Sequence, residues 1–290
     1  MSYLLEVEHV GKVYENFSLK DINFCLEEGT IMGLVGTNGA GKTTLIQIIL
    51  GLLQKEGVVR IGGMDTQQYE KETKDLCGFV LDDNPFLNAM SAIGNARIFG
   101  PYYSGWDENK FRRYCKKFDV NIKKQLSKLS KGTVIKFQLA FALSHDARLF
   151  VFDEPSAGLD PIFRRELLDI MYDITMDEKR SVIFSTHLTN DLDRVADSIT
   201  MLHKGEQLFM MQKEELFDRY LLVRGKEDRI DDLPEAVVVA SKHMEHYSEA
   251  LILKTGDPKY SDLETMQPSI EDIMIYLTQR RLKGENVNEL

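Results

Sequence analysis

The chain has 290 residues, of which 43% are hydrophobic, and its formal net charge is -10. This apolar fraction is enough for a substantial core, which excludes a largely disordered chain. The acidic balance argues against a general binder of nucleic acid or anionic membranes, because such a protein needs basic surface to neutralise phosphates. The length predicts one large domain and a smaller one.

No stretch of the sequence reaches the ~18 apolar residues that are typical of a membrane-spanning helix. The best candidate, residues 45–53, is short and contains Gln47 and Gly51, so it is interpreted as a buried helix. The first residues lack the basic start and apolar stretch of a secretion signal. We therefore expect any role at a membrane to come through a partner chain.

Strand patterns begin the chain. Residues 3–10 and 17–26 alternate apolar and polar side chains, as half-buried strands do. Residues 31–35 form a short apolar run that predicts a buried central strand, and an apolar helix is expected from Lys42 onward. Further strands are predicted at residues 58–61, 76–81, 149–152, 181–185 and 198–202. Strands that alternate with helices predict a mainly parallel sheet covered on both faces.

Residues 84–145 have a different, mostly helical pattern. Apolar side chains recur with the spacing of one helix face at Phe111, Tyr114, Cys115 and Phe118. Residues 107–136 contain ten Lys or Arg and three acids, a local balance of +7. This stretch is either a solvated helix surface or a region that attracts an acidic partner, such as lipid headgroups or the loops of another protein.

From about Phe217 the pattern changes again. A charged stretch at 225–232 precedes β-branched and apolar runs at 237–239 and 251–253. Ser269, with Asp272 three residues later, fits a helix N-terminal capping pattern. An apolar stripe would follow at Ile270, Ile273, Met274 and Leu277. We predict a small accessory domain that ends in an amphipathic helix.

Residues 36–43, Gly-Thr-Asn-Gly-Ala-Gly-Lys-Thr, fit the P-loop pattern GxxxxGK[ST] between a predicted strand and a predicted helix. The glycines let backbone N–H groups turn toward phosphates, and the helix N-terminus adds partial positive charge. Lys42 is expected to reach the β- and γ-phosphates of ATP, and the Thr43 hydroxyl to bind Mg²⁺. The expected nucleotide-binding residues are Gly36, Asn38, Gly39, Ala40, Gly41, Lys42, Thr43 and Thr44.

A P-loop site also needs a carboxylate at the end of a neighbouring strand to hold Mg²⁺. The apolar run 149–152 is followed directly by Asp153 and Glu154. We predict Asp153 as the metal ligand and Glu154 as the general base that contacts the attacking water.

The run 152–161, Phe-Asp-Glu-Pro-Ser-Ala-Gly-Leu-Asp-Pro, resembles ABC-type ATPases, and other motifs of that family stand in order around it. Tyr14 matches the aromatic position on which adenine stacks. Residues 129–133, Leu-Ser-Lys-Gly-Thr, occupy the place of the family's LSGGQ signature. Residues 156–160 resemble the D-loop, and His187 resembles the switch histidine. The resemblance covers roughly residues 2–215.

The resemblance implies an α/β P-loop NTPase fold of ABC type, with an antiparallel β subdomain and an inserted helical subdomain. It places the ATPase domain at 1–216 and the helical subdomain at about 84–145. The change of pattern from about Phe217 places the accessory α+β domain at 217–290. It further implies that Lys42, Glu154 and His187 are catalytic.

A second ATPase subunit is also implied, as a homodimer or a heterodimer. Ser130 is expected to cap the next helix and, with the Gly132 N–H, to face the γ-phosphate held by the other subunit. Asp160 is expected to take part in nucleotide binding.

Two positions depart from the family pattern. Asp82 stands where the family has a glutamine that contacts Mg²⁺, and we predict that Asp82 is a metal ligand, its alternative being a solvent-facing loop residue. Lys131 and Thr133 replace the usual glycine and glutamine of the signature. Because the main catalytic residues are intact, we predict an ATPase.

The partner implied by the resemblance is an integral-membrane permease on a separate chain, with no nucleic acid. This places the protein at the cytoplasmic face of the cell membrane. The segment 82–103 would receive the permease, with Phe86, Leu87, Met90 and Phe99 as the apolar groove.

The signature and the Pro-Ser-Ile-Glu-Asp-Ile segment near the end resemble bacterial export ATPases for peptides or toxic amphipathic compounds, such as the staphylococcal exporters of phenol-soluble modulins. The alternatives are a soluble ABC ATPase that acts on ribosomes or DNA, and a regulatory module that binds ATP without hydrolysis. A single cassette and the absence of a long heptad run disfavour the first. Intact Glu154 and His187 disfavour the second.

Overall fold

The computed structural model describes residues 3–254, 260 and 263–282. The end of the predicted accessory domain, residues 283–290, therefore lies outside the described residues. No helix in the described ranges has both the length and the apolar character to cross a membrane.

The strands alternate with helices along most of the chain. The strands are β1 Tyr3–Val13, β2 Ser18–Glu27, β3 Ile31–Gly36, β4 Glu56–Ile61, β5 Met64–Asp65, β6 Cys77–Val80, β7 Leu149–Phe152, β8 Ser181–Thr186, β9 Ser198–His203, β10 Glu206–Gln212, β11 Tyr220–Gly225, β12 Val238–His243, β13 Ser248–Leu253 and β14 Glu264–Met266. The helices are α1 Lys42–Ile49, α2 Glu70–Asp75, α3 Ala92–Phe99, α4 Glu108–Lys117, α5 Lys131–Ala142, α6 Pro161–Thr175, α7 Thr189–Val195, α8 Lys213–Arg219, α9 Glu227–Asp231 and α10 Ile270–Leu282.

A ten-stranded sheet forms the body, in the order β5-β4-β1-β2-β10-β9-β3-β8-β7-β6. Strands β9, β3, β8, β7 and β6 run parallel, whereas β1, β2, β4 and β5 pair antiparallel. The predicted fold, a mainly parallel sheet with an antiparallel β part, is confirmed. Because β3, β7 and β8 are adjacent and parallel, the loops at their carboxyl ends meet at one edge, where ligands bind in open α/β sheets.

The central strands are continuous apolar runs because both faces of the sheet are covered. Every residue of β3, β7 and β8 is buried. Helix α1 shares a hydrophobic cluster with β1, β2 and β4 on one face. Helices α5, α6 and α7 belong to a second cluster on the other face.

The segment 84–145, predicted to be mostly helical, contains α3, α4 and α5 and is called the helical unit. Phe111 and Cys115 of α4 are buried, as the predicted stripe requires, and Phe118 just after α4 is buried as well. The Phe86 ring contacts Phe137 and Phe141 edge-on, each with 4.9 Å between ring centroids. These aromatic contacts fix α5 against the loop that follows β6.

Strands β12, β13, β11 and β14 form a separate four-stranded sheet in that order. Its helix α10 begins with the predicted capping pair, because Ser269 Oγ accepts from Asp272 N–H and Asp272 Oδ2 accepts from Ser269 N–H. Ile270, Ile273 and Leu277 are fully buried in the same cluster as α7, so this sheet packs onto the body. The proposed boundary at 216/217 falls within α8.

Candidate active site

The P-loop lies between β3 and α1 and lines a cleft of about 480 Å³. The lining residues are Phe17, Asn38, Gly39, Ala40, Gly41, Lys42, Thr43, Thr44 and Glu154. Seven of these belong to the set predicted for nucleotide binding. The eighth predicted P-loop residue, Gly36, does not line this cleft. Its carbonyl accepts a 2.8 Å hydrogen bond from Lys42 Nζ, which connects the two ends of the loop.

Two glycines of the loop are required by their backbone surroundings. Gly36 passes so close to β9 that a Cβ would lie 2.3 Å from the Leu202 carbonyl oxygen. Gly41 has a φ of 108°, in a region that favours glycine, and a Cβ there would lie 2.9 Å from the Phe17 ring. The P-loop can therefore adopt this conformation only because glycine, which has no Cβ, occupies these two positions.

Asp153 follows β7 and is only 3% exposed. Its Oδ1 accepts a 2.6 Å hydrogen bond from Ser185 Oγ of β8. The pKa of Asp153 is raised above its ordinary value, mainly by burial and further by the charges of Glu154 and Asp82. Hydrogen bonds from Ser185 and Thr43 oppose this shift. A buried carboxylate beside a hydroxyl and other acids is an oxygen site that a divalent cation would neutralise.

Glu154 has a left-handed backbone, with a φ of 47°. Ser185 Oγ accepts from its N–H at 2.8 Å and thereby supports this strained turn. The carboxylate points into the cleft: Oε2 lies 2.7 Å from His187 Nδ1, and Oε1 lies 3.6 Å from Lys42 Nζ. The three predicted catalytic residues therefore meet in one place.

A buried polar network connects the D-loop with the segment after His187. Arg164 of α6 forms a forked pair with Asp191 of α7, with the shortest N–O distance at 2.7 Å. Asp191 Oδ2 also accepts from Ser156 Oγ at 3.2 Å. Sequence reasoning missed Arg164 and Asp191, because neither stands in a recognisable motif.

Ser130 caps α5, as predicted, by accepting from the Thr133 N–H at 3.2 Å. Gly132 packs against the D-loop of its own chain, where a Cβ would lie 2.8 Å from the Gly158 carbonyl oxygen. Asp160 caps α6 through its Oδ1, which accepts from the Ile162 and Phe163 N–H groups. Ser130, Gly132 and Asp160 do not line the P-loop cleft of this single chain.

Asp82 forms an ion pair with Lys131 at the start of α5. Both residues are among the positions at which the sequence departs from the resembled family. The predicted metal ligand therefore has a cation as its partner in this chain, although its charge still acts on Asp153.

The aromatic wall of the cleft is Phe17, which sequence reasoning missed. Tyr14 is exposed, its ring centroid is 6.3 Å from that of Phe17, and it does not line the cleft. Phe17 stands just before β2, three residues after Tyr14, so a second aromatic residue close to the matched position was the signal in the sequence.

A second cleft, of about 440 Å³, lies beside the P-loop and is bordered by α10. Gly36, Thr37 and His187 line one side, while Glu271 and Ile275 line the other. The accessory sheet thus brings its last helix to the edge of the nucleotide site.

An apolar cavity of about 240 Å³ opens between the sheet and the helical unit. Phe86 and Phe99 line it as predicted, together with Leu52 and Tyr103, whereas Leu87 and Met90 do not. Leu52 is 53% exposed at its rim.

Known proteins resemble this chain across the same site. The ABC transporter family model matches residues 19–157. The ABC transporter ATP-binding protein NatA of Bacillus subtilis is 30% identical over 213 residues, which is 69% of this chain and 84% of that protein. The chain belongs to the ABC transporter family. It is the ATP-binding and ATP-hydrolysing subunit of such a transporter.

Further relatives and solved structures agree with this assignment. The bacitracin transport ATP-binding protein BcrA of Bacillus licheniformis is 27% identical over 254 residues, covering 84% of this chain and 81% of that protein. A solved ATP-binding subunit of an ABC transporter has a TM-score of 0.67 at 24% identity, over 73% of this chain and 91% of that one. The cassette MJ0796, solved as a dimer with ADP and Pi, has a TM-score of 0.64 at 22% identity, over 72% and 98%. These structures share the ABC ATPase fold.

Proposed function

We propose that this ABC ATPase pairs with a second ATPase subunit around Mg·ATP and energises the export of amphipathic peptides by a separate membrane permease. The observation that carries the proposal is the meeting of Lys42, Glu154 and His187 at the P-loop cleft. The cation, the carboxylate and the imidazole have the chemistry that transfer of a phosphoryl group to water requires.

In the nucleotide site, the residues that would hold Mg²⁺ are Thr43 and Asp153, with Asp82 nearby. The ion would neutralise charge on the triphosphate and on the buried Asp153 carboxylate. Lys42, which now donates to the Gly36 carbonyl, turns to the β- and γ-phosphates, a stronger acceptor for an ammonium group. Phe17 would supply apolar surface for the base inside the cleft, and Tyr14, beside Phe17 but outside the cleft, would extend that surface.

Hydrolysis needs a water held against the γ-phosphate and a group that takes its proton. Glu154 is placed for this role because its strained backbone turns the carboxylate into the cleft. His187 orients that carboxylate by the 2.7 Å contact to Oε2, and its own side chain lines the neighbouring cleft beside α10. When water attacks phosphorus, the bond to the ADP oxygen breaks and the water's proton passes to Glu154.

The second subunit is proposed because three residues predicted to bind nucleotide do not line the P-loop cleft of their own chain. Ser130, Gly132 and Asp160 do not reach the cleft of their own chain, whereas the N-terminus of α5 is capped and suited to an anion. We propose that they face the nucleotide of a partner, either a second copy or a similar ATPase. The cleft beside α10 leaves space next to the P-loop for a partner's loop, which gives the accessory domain a role as a dimer contact.

The permease is proposed to bind the apolar cavity between the sheet and the helical unit. Exposed apolar side chains at a cavity mark interaction sites, and the cavity adjoins the segment that follows β6. Binding there would locate the chain at the cytoplasmic face of the membrane. The Leu52→Asp variant should lose co-purification with the permease, while Met176→Asp, at an exposed apolar position just after α6, should keep it.

The proposed substrates are amphipathic peptides, with phenol-soluble modulins as the narrower proposal. Support comes from the relative named for bacitracin transport and from the sequence resemblance to peptide exporters. Cells that lack the chain should accumulate such a peptide, and a scrambled peptide of equal charge should not accumulate. Equal accumulation of both peptides would contradict this substrate class.

The Glu154→Gln variant tests the core of the proposal. With Mg·ATP it should bind nucleotide, lose hydrolysis and form a dimer that light scattering detects. Asp83→Asn is the matched control, because it removes an exposed carboxylate that forms no ion pair with the described residues. A Glu154→Gln protein that stays monomeric at saturating Mg·ATP would refute the paired site.

A further inference from the structure

Two residues that depart from the family pattern contact each other across the fold. Asp82 follows β6 at the edge of its own nucleotide site, and Lys131 is the first residue of α5. They form an ion pair although they lie far apart in sequence. Neither departure suggests the other when the sequence is considered alone.

The surrounding structure fixes this pair in place. The buried Gln138 of α5 binds both backbone groups of Leu81, accepting from its N–H and donating to its carbonyl, each at 2.9 Å. The residue just before Asp82 is therefore attached to the helix that Lys131 begins. Any exchange of partners by Lys131 must come from its long flexible side chain rather than from movement of the helix.

Lys131 faces the surface that is proposed to meet the partner subunit. Its neighbour Ser130 caps α5, and its side chain passes the D-loop, where a Cβ on Gly158 would lie 3.9 Å from Lys131 Cδ. Helix α5 contains no acidic residue, so its first turn is cationic without an internal partner. An ammonium group at this N-terminus adds to the partial positive charge of the helix.

The ion pair is weak enough to exchange. Lys131 is 56% exposed and Asp82 is 45% exposed, and pairs so accessible to water contribute little to stability. A triphosphate carries more negative charge than the Asp82 carboxylate, so it can compete for the Lys131 ammonium group. The attraction between that ammonium group and the triphosphate grows when two protein surfaces come together and exclude water.

We propose that Lys131 is an additional phosphate ligand for the nucleotide of the partner subunit, and that Asp82 holds Lys131 back while the subunits are apart. This inference rests on the proposed pairing of two subunits. Asp82 belongs to one nucleotide site and Lys131 serves the other, so the pair couples the two sites through a single shared cation.

The exchange predicts opposite effects for the two partners. Removal of Asp82's charge frees Lys131 and lowers the ATP concentration for half-maximal dimerisation about threefold. Removal of Lys131 takes away a charge-assisted contact in each site and raises that concentration about tenfold or more. If the ion pair only stabilised the chain, removal of either charge would shift the ATP concentration for half-maximal dimerisation in the same direction.

The experiment measures ATP-driven dimerisation of Glu154→Gln protein by light scattering at saturating Mg²⁺, which does not depend on hydrolysis. Asp82→Asn, Lys131→Ala and the double variant are compared in that background. Asp83→Asn and Lys128→Ala are the matched controls, since both are exposed and neither forms an ion pair within the described part of the chain. The double variant should match Lys131→Ala, because Asp82 acts through Lys131.

Each outcome separates this inference from the proposed function. Opposite shifts, with unchanged controls, support the exchange. Equal shifts in one direction, or a Lys131→Ala protein that behaves like Lys128→Ala, overturn it while the paired site stands. Failure of the Glu154→Gln parent to dimerise overturns the proposed function, and the inference falls with it.

Discussion

The P-loop side and the signature side of the nucleotide site differ in how far a single chain completes them. Lys42 is 7% exposed and Asp153 is 3% exposed, and both have hydrogen-bond partners within the chain. Ser130 and Lys131 lie on the surface, and the one ion-pair partner of Lys131 among the described residues is the exposed carboxylate of Asp82. The P-loop side is therefore organised before ATP binds, whereas the signature side carries a charged group that remains solvent-exposed in a single chain.

The largest expected effect comes from the organised side. Glu154→Gln should lower kcat about a thousandfold, because a general base and its contact with water are removed together. ATP binding should be retained, since Lys42 and the P-loop backbone are unchanged. Phosphate release in steady state measures kcat, and nucleotide affinity is measured separately by calorimetry. A variant with more than a tenth of the wild-type kcat would contradict this role.

The Arg164–Asp191 pair tests whether the organised side depends on its buried network. Arg164→Ala should lower the free energy of unfolding by about 4 kcal/mol, because the buried Asp191 carboxylate is left without a cationic partner. Urea denaturation measures the loss. Arg165→Ala, at the next and exposed position of α6, is the control and should change little. Addition of Asp191→Asn to Arg164→Ala should recover part of the stability.

The helical unit should show an acid-sensitive group. Burial lowers the pKa of His145 from 6.5 to about 4, and its ring packs against Tyr103 with 4.4 Å between centroids. The unfolded chain therefore binds a proton at a higher pH than the folded chain does. Stability is full above pH 6.5 and falls by about 3 kcal/mol as the pH drops toward 4.

A His145→Leu variant should lack this part of the acid loss. The difference in urea midpoint between wild type and variant, measured at pH 7 and again at pH 4, isolates it from the titration of other groups. His246→Leu, an exposed histidine, serves as the control. An identical pH response in wild type and His145→Leu would show that His145 is not the sensitive group.

The smallest expected effect concerns the buried carboxylate without its metal. Asp153→Asn should raise the stability of the nucleotide-free protein by about 1 kcal/mol at pH 7, because a neutral amide is less costly to bury. The sign follows from the raised pKa of Asp153, which makes the folded state less stable as the pH rises. Thermal unfolding without nucleotide should show the gain, and Mg·ATP should stabilise the variant less than it stabilises the wild type, because one proposed metal ligand is removed.

The parts of the P-loop side could be located from the sequence because each part is formed by residues that are neighbours in the chain. The P-loop lies between an apolar strand and an apolar helix, and Asp153 and Glu154 follow directly on β7, so one short window identifies each part. The capping by Ser130 and the start of α6 at Pro161 were likewise predictable from neighbouring residues.

The contacts that the sequence did not reveal join residues far apart in the chain. Asp82 meets Lys131, and Arg164 meets Asp191, only after the sheet and helices have packed. The charged segment 225–232 contains the short helix α9, which its composition alone did not indicate. Periodicity reports which face of an element is buried but not which residue it faces.

The most direct test of the account is a mixture of two inactive variants. Lys42→Ala lacks the P-loop cation, and Ser130→Glu places a negative charge at the start of α5, so neither protein alone should hydrolyse ATP. A mixed pair unites the intact P-loop of one chain with the intact signature of the other. Mixing should therefore restore part of the ATPase rate. A mixture that stays as inactive as its components would contradict a site shared between two chains.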